Sequence, residues 1–220
     1  MSITLGLRAN AGQFALLVGV GALVGAMVGQ ERTVVPLMAV RIFGIPGVAS
    51  ALTFLVAFGL TKALTNLAAG ALADRYGRRP VLVVGWLLGI PVPLLLIWAP
   101  GWEWVVAANV LLGINQGLTW SVTVLMKIDL VGPRRRGLAL GLNEAAGYVA
   151  VAVTALVTGL IANRLGLRPW PFIVGLGIAL AGLALSAGTI RETQAHVRLE
   201  NGLGAGATRP PWRTVFAASS

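Results

Sequence analysis

Six long stretches of uncharged residues constrain this chain more than any other feature of its sequence. Each stretch is 19 to 23 residues long and is followed by a charged side chain. About 20 consecutive apolar residues in a helix are enough to cross the hydrocarbon core of a bilayer. The pattern therefore predicts an all-α membrane protein, a six-transmembrane-helix bundle, with uncharged stretches at residues 9–30, 42–61, 80–102, 104–126, 145–163 and 169–190.

The net charge of +10 indicates how such a bundle is oriented. In a soluble protein this excess would suggest a nucleic-acid partner. With a cytoplasmic N-terminus, however, twelve cationic residues fall on the inner side of the membrane and only four on the outer side, Arg32, Arg41, Arg164 and Arg168. Cationic residues concentrate in cytoplasmic loops. We therefore expect a protein of the cell (inner) membrane with both termini in the cytoplasm and no nucleic-acid partner.

The residue types that are missing exclude several classes of function. The chain has no cysteine, and its only histidine, His196, lies in a polar tail, so no helix carries the histidine base of an intramembrane Ser-His protease. No cluster of histidine or carboxylate residues has metal-ligand spacing, and no Gly-x4-Gly-Lys phosphate loop occurs. The sequence thus predicts neither an enzyme nor a site for a metal or cofactor.

Glycine and proline near the ends of the uncharged stretches predict the helix boundaries. We expect helices at about 10–40, 48–73, 80–99, 103–130, 137–163 and 170–189. In the first helix, Gly21, Gly25 and Gly29 recur every fourth residue, a spacing that lets helix backbones pack closely. Residues 1–190 would form the bundle, and residues 191–220 a cytoplasmic linker that is polar and rich in Gly and Ala at its start.

Polar residues recur at helical spacing within the second, fourth and fifth predicted helices. Lipid offers them no hydrogen-bond partner, so they should face other helices or a water-filled cavity. Lys62 lies 11 residues before Ala73, about 16 Å along the helix and near the membrane midplane. It would contact a substrate or ion, with Asn66 one turn below, or it would pair with an acceptor on a neighbouring helix.

The other candidate residues for lining a transport path are Asn115, Gln116, Trp120 and Glu144. Hydrogen-bonded packing between helices is the alternative for the first three. Glu144 could carry a proton, act as a gate, or pair with Lys127, Lys62 or Arg136. Glu31 and Arg32 are expected to lie near the outer face and to pair locally.

A distinctive segment, GALADRYGRRP, follows the second predicted helix at residues 70–80. Gly70 would allow another helix to approach closely, and Gly77 would allow a tight turn. Asp74 would accept hydrogen bonds from the first amides of the next helix. The segment resembles the G-x-x-x-D-[RK]-x-G-[RK]-[RK] signature of major facilitator superfamily transporters, and every motif position is filled. A weaker resemblance to that family's second cytoplasmic loop covers Asp129, Arg136 and Gly137.

The resemblance implies a transporter of a small molecule or ion that works by alternating access. The chain would be its N-terminal six-helix half, two inverted three-helix repeats, partnered by a second six-helix half, either covalently joined or another copy. In the family the motif is a cytoplasmic gate, a role that would fall to Gly70, Asp74, Arg75, Gly77, Arg78 and Arg79.

Two departures and one alternative bear on this interpretation. Gly113 stands where many proton-coupled members have arginine, and the fifth predicted helix lacks the proline of drug/proton antiporters, so proton-driven drug efflux is disfavoured. Residues 209–216 resemble the lead-in to a seventh helix. The alternative is a membrane scaffold or partner subunit that does not transport, or an inactive truncated product.

Overall fold

The computed structural model describes residues 4–45 and 47–204, and within them the chain is helical, with no strand. A single 3₁₀ turn, Pro133–Arg135, precedes one of the helices. The α-helices are α1 (Ala11–Arg41), α2 (Gly47–Tyr76), α3 (Arg78–Gly89), α4 (Pro91–Trp98), α5 (Trp102–Val131), α6 (Arg136–Leu165), α7 (Trp170–Gly188) and α8 (Gln194–Gly204).

Six of these segments are long and apolar enough to cross a membrane, with α3 and α4 counted together as one span, Arg78–Trp98. The predicted six-helix membrane bundle is confirmed. The third span differs from the prediction because it is interrupted at Ile90. Pro91 and Pro93 have no amide hydrogen and so cannot complete the helical ladder. Ile90 nevertheless keeps helical torsion angles, φ −60° and ψ −45°, which is consistent with α3 and α4 acting as one span.

Glycine makes the turn between α2 and α3, as the motif predicts. Gly77 has φ +96°, a conformation that other residues rarely adopt. A Cβ at this position would also lie 2.8 Å from the Glu192 carboxylate. The turn therefore requires glycine both for its backbone angle and for the space around it.

The bundle is built around two closely packed helix pairs, α1 with α6 and α2 with α5. Gly25 and Gly29 of α1 lie directly against the backbone of Gly147 and Val151 in α6. The predicted packing role of this glycine stripe is therefore confirmed. Gly113 of α5 similarly lies against the α2 backbone, where a Cβ would meet Phe58 O at 2.8 Å.

The spans differ strongly in how much of their surface the bundle covers. In the most apolar window of each helix, 50% of the residues are buried in α1 and 61% in α5, but only 11% in α2 and 17% in α6. The central helices are thus α1 and α5, while α2 and α6 present broad apolar faces that are free to contact lipid or another bundle.

The segment predicted as a linker contains a helix. Residues 194–204 form α8, and Arg136 of α6 donates to Glu200 of α8 at 2.5 Å. The predicted linker therefore includes an ordered helix that contacts the bundle. The predicted lead-in at residues 209–216 lies outside the described residues.

Candidate functional site

A hydrogen-bonded polar cluster lies inside the bundle where α5 meets α6. Lys127 Nζ donates to Asn143 Oδ1 at 2.5 Å, and Asn143 Nδ2 donates to Glu144 Oε1 at 3.0 Å. Trp120 Nε1 donates to the same Glu144 oxygen at 3.1 Å. Gly21 of α1 leaves room for this arrangement, because a Cβ there would lie 2.9 Å from Lys127 Nζ. Polar residues of both helices thus share one network.

Glu144 takes part in this network without forming an ion pair. Its hydrogen bonds come from an indole and an amide, and it attracts Lys127 electrostatically from beyond contact distance. Arg136, one of its expected partners, instead pairs with Glu200. Of the alternatives considered for Glu144, a direct ion pair with Lys127, Lys62 or Arg136 is not formed, and Glu144 links α5 and α6 through neutral donors.

Lys62 lies beside this network on α2, with its ammonium over aromatic rings. Lys62 Nζ is 4.7 Å from the ring centroid of Trp120 and 5.7 Å from that of Phe58. Cations are attracted to such ring faces. The ion pairs found among residues 4–45 and 47–204 involve Arg78 or Arg136, and none includes Lys62. The structure thus brings Lys62, Trp120 and Glu144 together.

The remaining candidates for lining a path separate into two groups. Asn66 is exposed and accepts a hydrogen bond from Ser121 Oγ at 2.9 Å. Asn115 and Gln116 are fully buried and donate to the carbonyls of Gly85 and Val24, at 2.8 and 2.9 Å. These bonds correspond to the packing alternative, in which Asn115 and Gln116 hold α5 against α3 and α1.

A buried carboxyl group in α1 was not expected from the sequence. Glu31 is only 2% exposed, and neither of its oxygens has a hydrogen-bond partner among the described residues. It lines a small, partly open pocket together with Arg32, Asn109 and Phe58. The expected local ion pair is not formed: among the ion pairs of the described residues none joins Glu31 to Arg32, although both line this pocket. The available signal was that the Glu-Arg pair lies well inside a long apolar helix.

A second polar network joins the C-terminal ends of α2 and α5 to the N-terminal end of α3. The Arg78 guanidinium lies between two carboxylates, with Nη1 at 2.5 Å from Asp74 and Nε at 3.2 Å from Asp129. Thr193 Oγ1 also donates to Asp129, at 2.7 Å. The motif residues Asp74 and Arg78 and the second-loop residue Asp129 thus form one group that also holds the segment after α7.

The first amides of α3 are capped by Glu192 and not by Asp74. Arg78 N and Arg79 N donate to the two Glu192 carboxylate oxygens at 3.0 and 2.9 Å. A carboxylate at this position interacts favourably with the free amides of a helix N-terminus. The expected capping role of Asp74 is wrong, because its side chain turns to the Arg78 guanidinium. Sequence reasoning missed Glu192, whose signal was a lone carboxylate directly after the last span.

The other motif residues differ in exposure. Arg75 is exposed and lies over the Tyr76 ring at 5.2 Å, while Arg79 is exposed and donates to the Ala187 carbonyl. A Cβ at Gly70 would meet no atom within 4 Å, so no described helix makes the close approach expected there. Gly137 likewise has open space around it. Part of the motif is therefore used within the bundle, and part faces outward.

Six apolar spans around buried polar networks define an all-helical integral membrane protein. The chain belongs to the Major Facilitator Superfamily, whose family description it matches over residues 9–219. It is 31% identical over 171 residues to Multidrug resistance protein MdtG of Serratia proteamaculans, an alignment that covers 77% of this chain and 39% of that protein. It is 29% identical over 140 residues to an uncharacterized MFS-type transporter of Mycobacterium tuberculosis, covering 64% and 24%.

The fold also matches a solved structure. A crystal structure of the peptide transporter POT aligns with a TM-score of 0.65 at 16% identity, covering 94% of this chain and 45% of that one. A likeness at this identity concerns the fold alone. The chain thus spans less than half the length of each of these proteins.

Proposed function

We propose that the chain is the N-terminal half of a secondary transporter that moves a small solute by alternating access. One observation carries this proposal: a polar cluster of Lys62, Trp120 and Glu144 lies within the spans, with Lys62 at the middle of α2, beside the free faces of α2 and α6. Polar groups at this depth are costly unless they are paired or lie beside water. A second six-helix bundle packed on these faces would enclose the cluster as a central pathway.

The cytoplasmic network supplies the gate in this proposal. Asp74, with its side chain 70% exposed, and the open surface at Gly70 are available to a second bundle. When the two bundles rock together on the cytoplasmic side, Asp74 and Arg75 would contact the partner, and these contacts would break when that side opens. Both termini would be cytoplasmic, in the cell (inner) membrane, and the partner half would be covalently joined or another copy.

Transport should be tested on the tagged chain purified from its native membranes together with whatever copurifies. The preparation would be reconstituted into proteoliposomes and assayed for flux of a panel of labelled solutes. We expect flux of at least one solute, a large loss of it in Lys62→Ala and Asp74→Asn, and normal flux in Arg164→Gln at the exposed end of α6. Absence of flux, with stable copurification of an unrelated membrane protein, would favour the scaffold or partner-subunit alternative.

A further inference from the structure

The Glu31 carboxyl group is buried in the first span with nothing to stabilise a charge on it by contact. It is almost fully buried, and neither oxygen accepts a hydrogen bond from any residue that the structure describes. Asn109 lines the same pocket, but its amide nitrogen donates to the Val105 carbonyl of its own helix at 3.1 Å. Glu31 is therefore a buried acid without a donor.

The other carboxyl groups that the bundle covers have hydrogen-bond donors. Glu144 accepts hydrogen bonds from an indole and an amide, and Asp129 accepts them from a guanidinium and a hydroxyl. Glu192 accepts two backbone amides. Donors of this kind stabilise an ionised carboxylate, so Glu31 differs from these three in the form that its surroundings favour.

The favoured form of Glu31 is the neutral acid. Burying an ionised carboxylate without a partner costs far more than burying a neutral polar group, and a group in this position normally becomes neutral instead. A membrane span makes the cost larger, because lipid supplies no donor either. A proton on Glu31 removes the charge without any change in the helices.

The pocket contains one charged residue besides Glu31. This residue is Arg32, whose guanidinium lies 5.5 Å from the Phe58 ring centroid and attracts Glu31 electrostatically without forming an ion pair. Lys62, one turn after Phe58 on α2, interacts electrostatically with Arg32. The other pocket residues are uncharged: Val28, Phe54, Phe58, Asn109 and Leu112.

Charged residues on the other helices that pack against α1 lie far from this level. On α6 the level is given by Ala155, whose carbonyl accepts a hydrogen bond from Thr33 at 3.2 Å, and Glu144 and Arg164 are 11 and 9 residues away. On α5, Glu103 is six residues before Asn109. The sequence of α7 contains no charged residue. Arg32 is thus the counter-charge available to an ionised Glu31.

The pocket also provides a route for the proton. It is partly open, and Arg32, which lines it, is exposed. Water that entered along Arg32 would reach the carboxyl group and accept its proton.

We propose that Glu31 is a proton-binding site, which holds a proton in this arrangement of the helices and releases it to water when the pocket opens, Arg32 then compensating the carboxylate. The O–H bond of the acid breaks and the proton passes to water, so no other reactant is needed. This inference goes beyond the proposed transport function, because a proton site requires neither a second bundle nor a solute.

Infrared spectroscopy of the purified chain tests for the proton directly. A protonated carboxyl group has a C=O stretching band that an ionised carboxylate lacks, and an exposed glutamate is ionised at pH 7. We expect the wild type to show this band at pH 7, and Glu31→Gln to lose it. Glu31→Asp keeps an acid and should keep a band, while Glu103→Gln, at an exposed position, should match the wild type. No band in the wild type, or an undiminished band in Glu31→Gln, would overturn the inference.

Thermal unfolding against pH gives a second measurement. Between pH 5 and pH 7 an unfolded chain has this glutamate largely ionised, whereas the folded chain keeps the proton, so the stability of the folded state falls as pH rises. One proton corresponds to about 3–5 °C in Tm per pH unit for a chain of this length. We expect the wild-type Tm to fall by this amount relative to that of Glu31→Gln. Parallel curves for the two proteins would contradict the proposal.

Arg32→Gln tests the compensating charge. A nearby cation favours the ionised form of a carboxyl group, so without Arg32 the acid band should persist to a pH higher by about one unit or more. Arg41→Gln, at the exposed end of α1, removes a cation outside the pocket and should titrate as the wild type does. If the band of Arg32→Gln disappeared at the wild-type pH, Arg32 would not compensate Glu31 and that part of the proposal would be wrong.

Discussion

The contact between α1 and α6 predicts a graded response to adding a single methyl group. In Gly25→Ala the new Cβ would collide with the Gly147 carbonyl oxygen and lie 2.8 and 2.9 Å from its C and Cα. These atoms belong to backbone in mid-helix, so they cannot rotate aside. In Gly159→Ala the nearest atom is the Thr33 methyl at 3.1 Å, and in Gly19→Ala no atom lies within 4 Å.

The cost of Gly25→Ala follows from the separation that it forces on the two helices. Ordinary carbon contacts are 3.5–4.0 Å, and a gap of 0.5–1 Å forfeits about a quarter to a half of the attraction at each neighbouring contact. Overpacking of this kind typically costs about 1–3 kcal/mol, and the backbone collision places Gly25→Ala near the upper end. For a chain of this length, each kcal/mol lowers Tm by about 2–4 °C.

Thermal unfolding of the purified variants in one detergent is the appropriate assay. We expect Gly25→Ala to unfold about 4–12 °C below the wild type. Gly19→Ala should have an unchanged or slightly higher Tm, because alanine favours helix over glycine. The Tm of Gly159→Ala should lie between those of the other two variants. If Gly25→Ala unfolded at the same temperature as Gly19→Ala, the backbones of α1 and α6 would not be in contact at Gly25.

Five further substitutions test the polar networks, each by thermal unfolding against the wild type. Arg78→Ala should cost about 3–5 kcal/mol because it leaves a buried carboxylate unpaired, whereas Arg75→Ala, on the exposed surface, should cost less than about 0.5 kcal/mol; equal effects would contradict the network. Lys127→Met should destabilise less than Asn143→Ala, because the first leaves a neutral amide oxygen without its donor, whereas the second leaves a buried ammonium without its acceptor and should cost about 1–3 kcal/mol. Glu192→Ala should cost about 1–2 kcal/mol through the uncapped amides of α3, and no loss would show that water replaces it.

The sequence was sufficient to predict the spans, because the free-energy cost of placing a charge in lipid outweighs the other contributions to the position of a helix. A single uncharged stretch is a strong local signal, and the bounds of α1, α5 and α7 are accordingly within one or two residues of expectation. The packing role of the glycine stripe in α1 could also be predicted, because the spacing of the glycines and the close helix approach that they permit are both local properties.

The direction in which each polar side chain points was not readable in the same way. Asn115 and Trp120 are five residues apart on one helix, yet Asn115 binds an α3 carbonyl and Trp120 binds Glu144 of α6. Which neighbour each meets depends on the rotation and crossing of three helices, a tertiary property. Asp74 and Glu192 show the same limit: both carboxylates were available to cap α3, and the position of the segment after α7 selected Glu192.

The motif residues fall into two sets, one buried in the bundle and one facing outward. Only the outward-facing residues allow the proposed gate to be tested separately from folding. Gly77 and Arg78 are buried within the bundle, so replacing either disturbs the network whether or not a second bundle binds there. The Asp74 side chain is 70% exposed and accepts a hydrogen bond from Arg78 Nη1. Asp74→Asn therefore removes charge from an outward face at small cost to folding. We expect this variant to keep a wild-type Tm within about 2 °C, the change for less than about 1 kcal/mol, while losing flux in the reconstituted preparation. If flux and Tm both fell in Asp74→Asn, the motif would stabilise this bundle and would not act as a gate.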